Sequence, residues 1–148
     1  MALDYKALLD LKADDDAPLR FLGEAAYLYF YRGASDEALA LFEALTVIVP
    51  DDPVGWLGQC EVALASGDAR SAVQHAQKAT RTANVDAPAM AFAYLLQGRA
   101  HLKAGQQAEA EKVLAQAAEV DPESDVGRTA TELIQALHAV NDGDGSAS

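Results

Sequence analysis

The stretch GASDEALALFEALTVIVP, residues 33–50, sets a pattern that the chain repeats twice more. It starts with Gly and has Ala at +5, apolar residues at +9 and +12, and Pro at +17. The same spacing recurs in residues 67–84, GDARSAVQHAQKATRTAN, where Asn replaces Pro, and in residues 105–122, GQQAEAEKVLAQAAEVDP. The intervals between the three glycines are 34 and 38 residues. A period of this length, with apolar residues at helical spacing, predicts an array of stacked helix pairs.

The segments that flank these stretches supply the other helix of each pair. A bulky residue precedes each glycine by eleven positions, at Leu22, Trp56 and Tyr94. Each glycine follows an apolar segment, as a helix C-cap does, and proline ends two of the repeats. No segment alternates apolar and polar residues in the manner of a strand. We therefore expect only helices, over about 19–32, 35–49, 54–66, 68–82, 88–104, 107–120 and 124–140.

This pattern implies a single domain whose two terminal segments differ from the repeats between them. Residues 1–17 are expected to form an N-terminal helix and linker, because Leu3, Leu8 and Leu11 give it an apolar stripe. Three helix pairs follow over 18–51, 52–85 and 88–122, and a C-terminal capping helix covers 123–140. The polar residues 141–148 are expected to be disordered.

Composition narrows the classes of partner and compartment. The chain has 148 residues, 51% of them hydrophobic, and a net charge of −12, which disfavours nucleic acid and anionic membranes as partners. The single cysteine, Cys60, leaves no internal disulfide and fits a reducing compartment. Neither a secretory signal nor an apolar run long enough to span a membrane is present. We expect a cytoplasmic protein that does not insert into membranes.

With these residues in place, the pattern resembles the tetratricopeptide repeat (TPR), in three copies over about residues 18–122. The first and third copies fit well, and the middle copy departs with Ala63, Ala76 and Asn84. The resemblance implies an all-α fold, a right-handed superhelix of three helix pairs between an N-terminal helix and a C-terminal capping helix. Small residues such as Ala38, Ala72 and Ala110 then permit close approach of the helices.

In this family the first helix of each pair lines a concave groove that binds peptides. The positions that face the groove in TPR proteins imply a peptide-binding set here: Arg20, Tyr27, Phe30, Tyr31, Leu57, Glu61, Leu64, Phe92, Leu95, Arg99 and Leu102. The places that hold Lys, Arg and Asn in the carboxylate-binding members are Gly23, Tyr27, Gly58, Phe92 and Leu96 here, so that function is not expected. A groove of this composition suits a peptide with apolar anchors. Alternatively, a terminal helix packs on these residues.

A narrower resemblance is to the class II chaperones of bacterial type III secretion. It rests on residues 38–60, ALALFEALTVIVPDDPVGWLGQC, and on the insertion with Pro88 and Phe92 that lengthens the last repeat interval. The resemblance implies a chaperone that holds an apolar segment of a secreted translocator protein, with a possible homodimer through the N-terminal helix. A generic TPR adaptor or scaffold in a multiprotein assembly is the alternative.

Catalytic and metal chemistry have little support in the sequence. The histidines His75, His101 and His138 are not spaced with other ligands as a metal site requires. Cys60 lies at a close-packing position and is expected to be a buried apolar residue rather than a nucleophile. We therefore expect that this protein is not an enzyme and that it binds neither a cofactor nor a metal ion.

Overall fold

Seven α-helices follow one another in the computed structural model, which describes residues 17–146. They are α1 (Ala17–Tyr31), α2 (Ser35–Ile48), α3 (Val54–Ser66), α4 (Ala69–Thr80), α5 (Ala87–Lys103), α6 (Gln107–Val120) and α7 (Asp125–Ser146). Within this range there is no strand, and the predicted all-α fold is confirmed. The helix predicted for the N-terminal segment lies outside the described residues.

The three repeated glycines end the first helix of each pair in the same way. Gly33, Gly67 and Gly105 have φ angles of +80°, +83° and +74°, a conformation that glycine adopts without steric penalty. The residue after each glycine donates its N–H to a carbonyl in the last turn of the helix, at 2.9 Å in all three repeats. This arrangement is a Schellman C-cap, and it turns the chain into the second helix of the pair.

The helices form two layers. Each helix packs on the next one in the chain, and in addition α1 contacts α3, α3 contacts α5, and α5 contacts α7. Among the described residues the even-numbered helices make no comparable contacts with one another. The first helices of the three pairs therefore form the inner layer, whose exposed side is the groove.

Residues without large side chains set the spacing between these helices. Ala38, Ala72 and Ala110 are fully buried at the equivalent position of each repeat. A Cβ atom at Gly58 on α3 would run into the ring of Phe42 on α2, which is itself fully buried. A Cβ at Gly98 on α5 would lie 2.6 Å from the Cδ2 atom of Leu114 on α6. The large side chains of α2 and α6 thus lie directly on glycines.

The middle repeat has a different pair of residues between its two helices. Its counterpart to Phe42 and Leu114 is Ala76, which belongs to one core cluster with Cys60 on α3. Cys60 has no exposed surface, and burial, together with the nearby charge of Glu61, raises the pKa of its thiol to about 12. The departure of this repeat from the family pattern is accommodated by packing, because a smaller residue on α4 faces a larger one on α3.

The C-terminal helix is longer than the sequence indicates. It packs through Val126, Leu133, Ile134 and Leu137 against a cluster that includes Leu95 and Leu114. The helix then continues to Ser146, through part of the segment that we expected to be disordered. No proline interrupts residues 125–146, so the hydrogen-bonding pattern of the helix continues past its last packed turn.

The contact between Gly58 and Phe42 predicts a large effect for a small substitution. Gly58→Ala adds a methyl group where the Phe42 ring already fills the space, and overpacking of this kind destabilises by about 1–3 kcal/mol. We expect a lower free energy of unfolding in urea titrations followed by circular dichroism.

Gly23→Ala is the matched control, because a Cβ there would make only ordinary contact with Val54, at 3.8 Å. Replacement of a mid-helix glycine by alanine favours the helix by about 0.5–1 kcal/mol. Equal effects of the two substitutions on stability would contradict the assignment of Gly58 as a close-packing position.

Candidate peptide-binding groove

The inner layer carries two open clefts. The larger, which we call the first-repeat cleft, has a volume of about 990 Å³ and is bounded by α1 and by the loop between α2 and α3. Its lining residues include Arg20, Glu24, Tyr27, Leu28 and Tyr31. The smaller, which we call the Glu61 cleft, has a volume of about 260 Å³ and is lined by Phe30, Glu61, Leu64, Ala65, Leu96, Arg99 and Lys103. The Glu61 cleft therefore draws residues from all three inner helices.

The expected groove residues divide between these clefts and the core. Three of them line the first-repeat cleft: Arg20, Tyr27 and Tyr31. Four line the Glu61 cleft: Phe30, Glu61, Leu64 and Arg99. The other four line neither cleft: Leu57 and Leu95 are buried in core clusters, and Phe92 and Leu102 are half-buried.

The burial of Leu95 has a specific cause. Its cluster includes Leu133, Ile134 and Leu137 of α7, so the capping helix covers this side of α5. Leu96, the next residue, lines the Glu61 cleft and is absent from the expected set. The sequence does point to Leu96, because the equivalent position in the carboxylate-binding TPR proteins holds a polar residue that faces the groove.

One residue from each repeat meets at the centre of the groove. Tyr27, Glu61 and Arg99 each lie six positions before the repeat glycine, so the stacking of repeats places them in one row. The Tyr27 hydroxyl and the Arg99 charge both act on the Glu61 carboxyl and lower its pKa. The row therefore brings polar groups from α1, α3 and α5 into electrostatic range of one another.

Burial dominates the electrostatics of Glu61. Desolvation raises the pKa of its carboxyl, while the Tyr27 hydroxyl and the Arg99 charge partly offset the rise. Oε2 of Glu61 is buried and has no hydrogen-bond partner among the described residues. Tyr27 is affected in turn, since burial and the Glu61 charge raise the pKa of its phenol far above the usual range. Ionised Glu61 is thus held at a cost in stability.

Aromatic contacts fix the floor of the groove. The Tyr27 ring meets the Phe42 ring edge to face, with centroids 4.9 Å apart and planes at 74°. The rings of Phe30 and Tyr31 lie 5.5 Å apart, and each lines a different cleft. The two clefts therefore adjoin at this pair of rings. Tyr31 is 75% exposed and is available for contact with a bound chain.

The basic residues of the third repeat hold one wall of the Glu61 cleft. Lys103 Nζ donates a hydrogen bond to the carbonyl of Leu64 at 3.1 Å, which ties the end of α5 to the end of α3. Arg99 is exposed and makes no ion pair with any carboxylate of the described residues. This wall therefore presents positive charge to the groove.

Comparison with known proteins identifies the architecture. Residues 92–124 match the tetratricopeptide repeat family model. The chain superimposes on the type III secretion translocator chaperone SycD of Yersinia enterocolitica with a TM-score of 0.73 at 20% identity, over 85% of this chain and 94% of that one. The chain has a tetratricopeptide repeat fold. The resemblance to TPR proteins and, in fold, to the secretion chaperones is thus confirmed.

Two further structures extend this TPR comparison. SycD in an alternative dimer matches with a TM-score of 0.75 at 19% identity, over 86% of this chain and 96% of that one. PcrH in complex with the chaperone binding region of PopD matches with a TM-score of 0.72 at 18% identity and the same coverage. No curated protein matches the sequence.

Outside the groove, the histidines of the TPR array have separate partners. His75 stacks on Trp56 with ring centroids 5.9 Å apart, His101 Nδ1 lies 2.8 Å from Gln106 Oε1, and His138 lies 3.4 Å from Glu111. No three His, Cys, Asp or Glu side chains between residues 17 and 146 converge as metal ligands would. None of the helices between these residues combines the length and the hydropathy of a membrane-spanning segment.

The burial of Glu61 in the TPR groove predicts a pH-dependent gain in stability for Glu61→Gln. Because burial raises the folded-state pKa above the ordinary value of 4.5, the contribution of Glu61 is fully present below that value and is lost as pH rises through the folded-state pKa. We expect the variant to be more stable than the wild type at about pH 7 and no more stable near pH 4.

Thermal unfolding at several pH values measures this difference. The control is Glu132→Gln, which removes an exposed carboxylate from α7. A gain that is the same at every pH, or one shared by the control, would contradict the assignment of a buried charge to Glu61.

Proposed function

We propose that this chain is a cytoplasmic chaperone that holds a short apolar segment of a secreted, translocator-type client in the groove formed by α1, α3 and α5. The observation that carries the proposal is the pair of adjoining clefts with aromatic and aliphatic walls. The PcrH structure supports a peptide client, because a protein of the same fold is seen there with the chaperone binding region of PopD.

The groove offers free energy of binding through apolar contact. Tyr31 and Leu28 are 75% and 52% exposed, and both line the first-repeat cleft. Covering such surface contributes about 25 cal/mol for each Å² removed from water. Aromatic residues in partly formed pockets are also frequent centres of binding energy. A client with two or more apolar anchors would fill both clefts and keep those anchors from water.

An adaptor role in a multiprotein assembly is the second candidate. Phe21 on α1 and Val47 on α2 are 72% and 75% exposed, and neither lines a cleft. A partner that docks on these residues would leave the groove unused. The two functions are distinguished by substitutions confined to the groove.

A homodimer through the N-terminal segment also belongs to this proposal. The SycD structures include an alternative dimer, and Phe21 exposes apolar surface close to where α1 begins. Sedimentation velocity of the full chain and of a form lacking residues 1–16 measures the effect. A dimeric mass for both forms would remove the segment from the interface.

Ala65→Phe is expected to block the groove without disturbing the core. Ala65 is exposed and lines the Glu61 cleft, so a larger side chain there occupies the space of a client anchor. Peptides selected from a random phage-displayed library on the wild-type chain serve as probes. We expect the variant to bind them at least about tenfold more weakly, a loss of about 1.4 kcal/mol.

Ala40→Phe is the matched control, since Ala40 is exposed on α2 and lines neither cleft. Fluorescence anisotropy with the labelled peptides compares the three proteins, and circular dichroism verifies that both variants fold. Wild-type affinity in Ala65→Phe, or equal losses in the two variants, would assign binding to another surface and favour the adaptor.

A further inference from the structure

The Glu61 cleft has an apolar part and a charged part side by side. Half-buried Phe30 and the buried Leu64 and Leu96 line its apolar part, and Arg99 and Lys103 lie on its α5 side. A volume of about 260 Å³ is suited to one large side chain rather than to a small-molecule ligand, whose pockets are usually about 300 Å³ or more. One client anchor in this cleft would therefore lie next to two cationic groups.

The charge of this cleft is opposite in sign to that of the whole chain. The chain carries −12, whereas the cleft combines two exposed cations with one half-buried carboxyl. The carboxyl of Glu61 is half-buried, and desolvation disfavours its charged form. Local charge matters most in a groove, because salt screens interactions beyond about 8–10 Å. At contact range, the cleft is positive.

Both cations retain hydrogen-bond donors for a ligand. Lys103 donates to the Leu64 carbonyl, and an ammonium group has three donors. That bond also fixes the position of the ammonium group beside Leu64, which lines the same cleft. Arg99 has a planar guanidinium with five N–H donors and no ion pair with the described carboxylates. A side-chain carboxylate has two acceptor oxygens and can accept from both at once.

We propose that the Glu61 cleft selects a client segment in which an apolar anchor is flanked by an aspartate or glutamate, whose carboxylate is bound by Arg99 and Lys103. This inference rests on the proposed function and adds the chemical class of the client at one site. The carboxylate is that of a side chain within the segment. The first-repeat cleft adjoins at Phe30 and Tyr31, so a bound chain continues along the groove instead of ending there.

A peptide series tests the selection. We take one peptide that binds the wild-type groove, amidate its C-terminus, and place Glu, Gln or Lys next to the apolar residue that the Glu61 cleft accepts. The wild-type chain is expected to prefer Glu over Gln by about fivefold, and the preference is expected to weaken with salt. The double variant Arg99→Gln, Lys103→Gln is expected to bind the Glu and Gln peptides with equal affinity.

Arg70→Gln is the control, because Arg70 is exposed on α4 and lines neither cleft. Equal affinity of the wild type for the Glu, Gln and Lys peptides overturns the inference and leaves the proposed function intact, as does a Glu preference that survives in the double variant. A preference that appears only when the C-terminus is a free acid assigns the site to a chain terminus instead. If no selected peptide binds in the groove, both proposals are wrong.

Discussion

The groove depends on one contact, that of the Phe42 ring with Gly58. Phe42 is fully buried, and the absence of a side chain at Gly58 allows α3 to lie directly on it. The same ring supports Tyr27 from α1 by an edge-to-face contact. A single side chain on the outer layer thus sets the positions of two inner helices. Because Glu61 lies on α3 and its partner hydroxyl on α1, the geometry of the polar row follows from this contact.

The row of Tyr27, Glu61 and Arg99 shows how a repeat array builds a site that no single repeat contains. Identical backbone positions in three repeats bring a phenol, a carboxyl and a guanidinium together. Desolvation works against the charge on Glu61, and its two neighbours only partly offset it. A polar group held in this way is unfavourable for stability, and residues of that kind are frequent at functional sites. The Glu61 cleft adjoins this row, because Glu61 and Arg99 also line it.

The sequence predicts the helices better than it predicts the groove. Glycine spacing and buried alanines give the helix pairs, because caps and close contacts are local or are repeated at a fixed period. Exposure of the groove residues is set by neighbours that are distant in sequence. Leu95 is covered by α7, and Leu96, one position further, lines the Glu61 cleft although it is almost completely buried. The raised pKa of Glu61 is equally inaccessible from sequence, since its causes lie on α1 and α5. The observed end of α7 also differs from the expected one. A polar composition indicates that a segment buries little surface, and it does not show where a helix ends.

Cys60 reports on the local opening of the middle repeat. Cys60 is the only cysteine in the chain, it has no exposed surface, and the pKa of its thiol is raised to about 12. Thiol reagents attack the thiolate, so modification requires separation of α3 from α4 first. The labelling rate therefore measures how often α3 separates from α4 under native conditions. A client bound across the inner helices would slow this labelling even though it does not contact the sulfur.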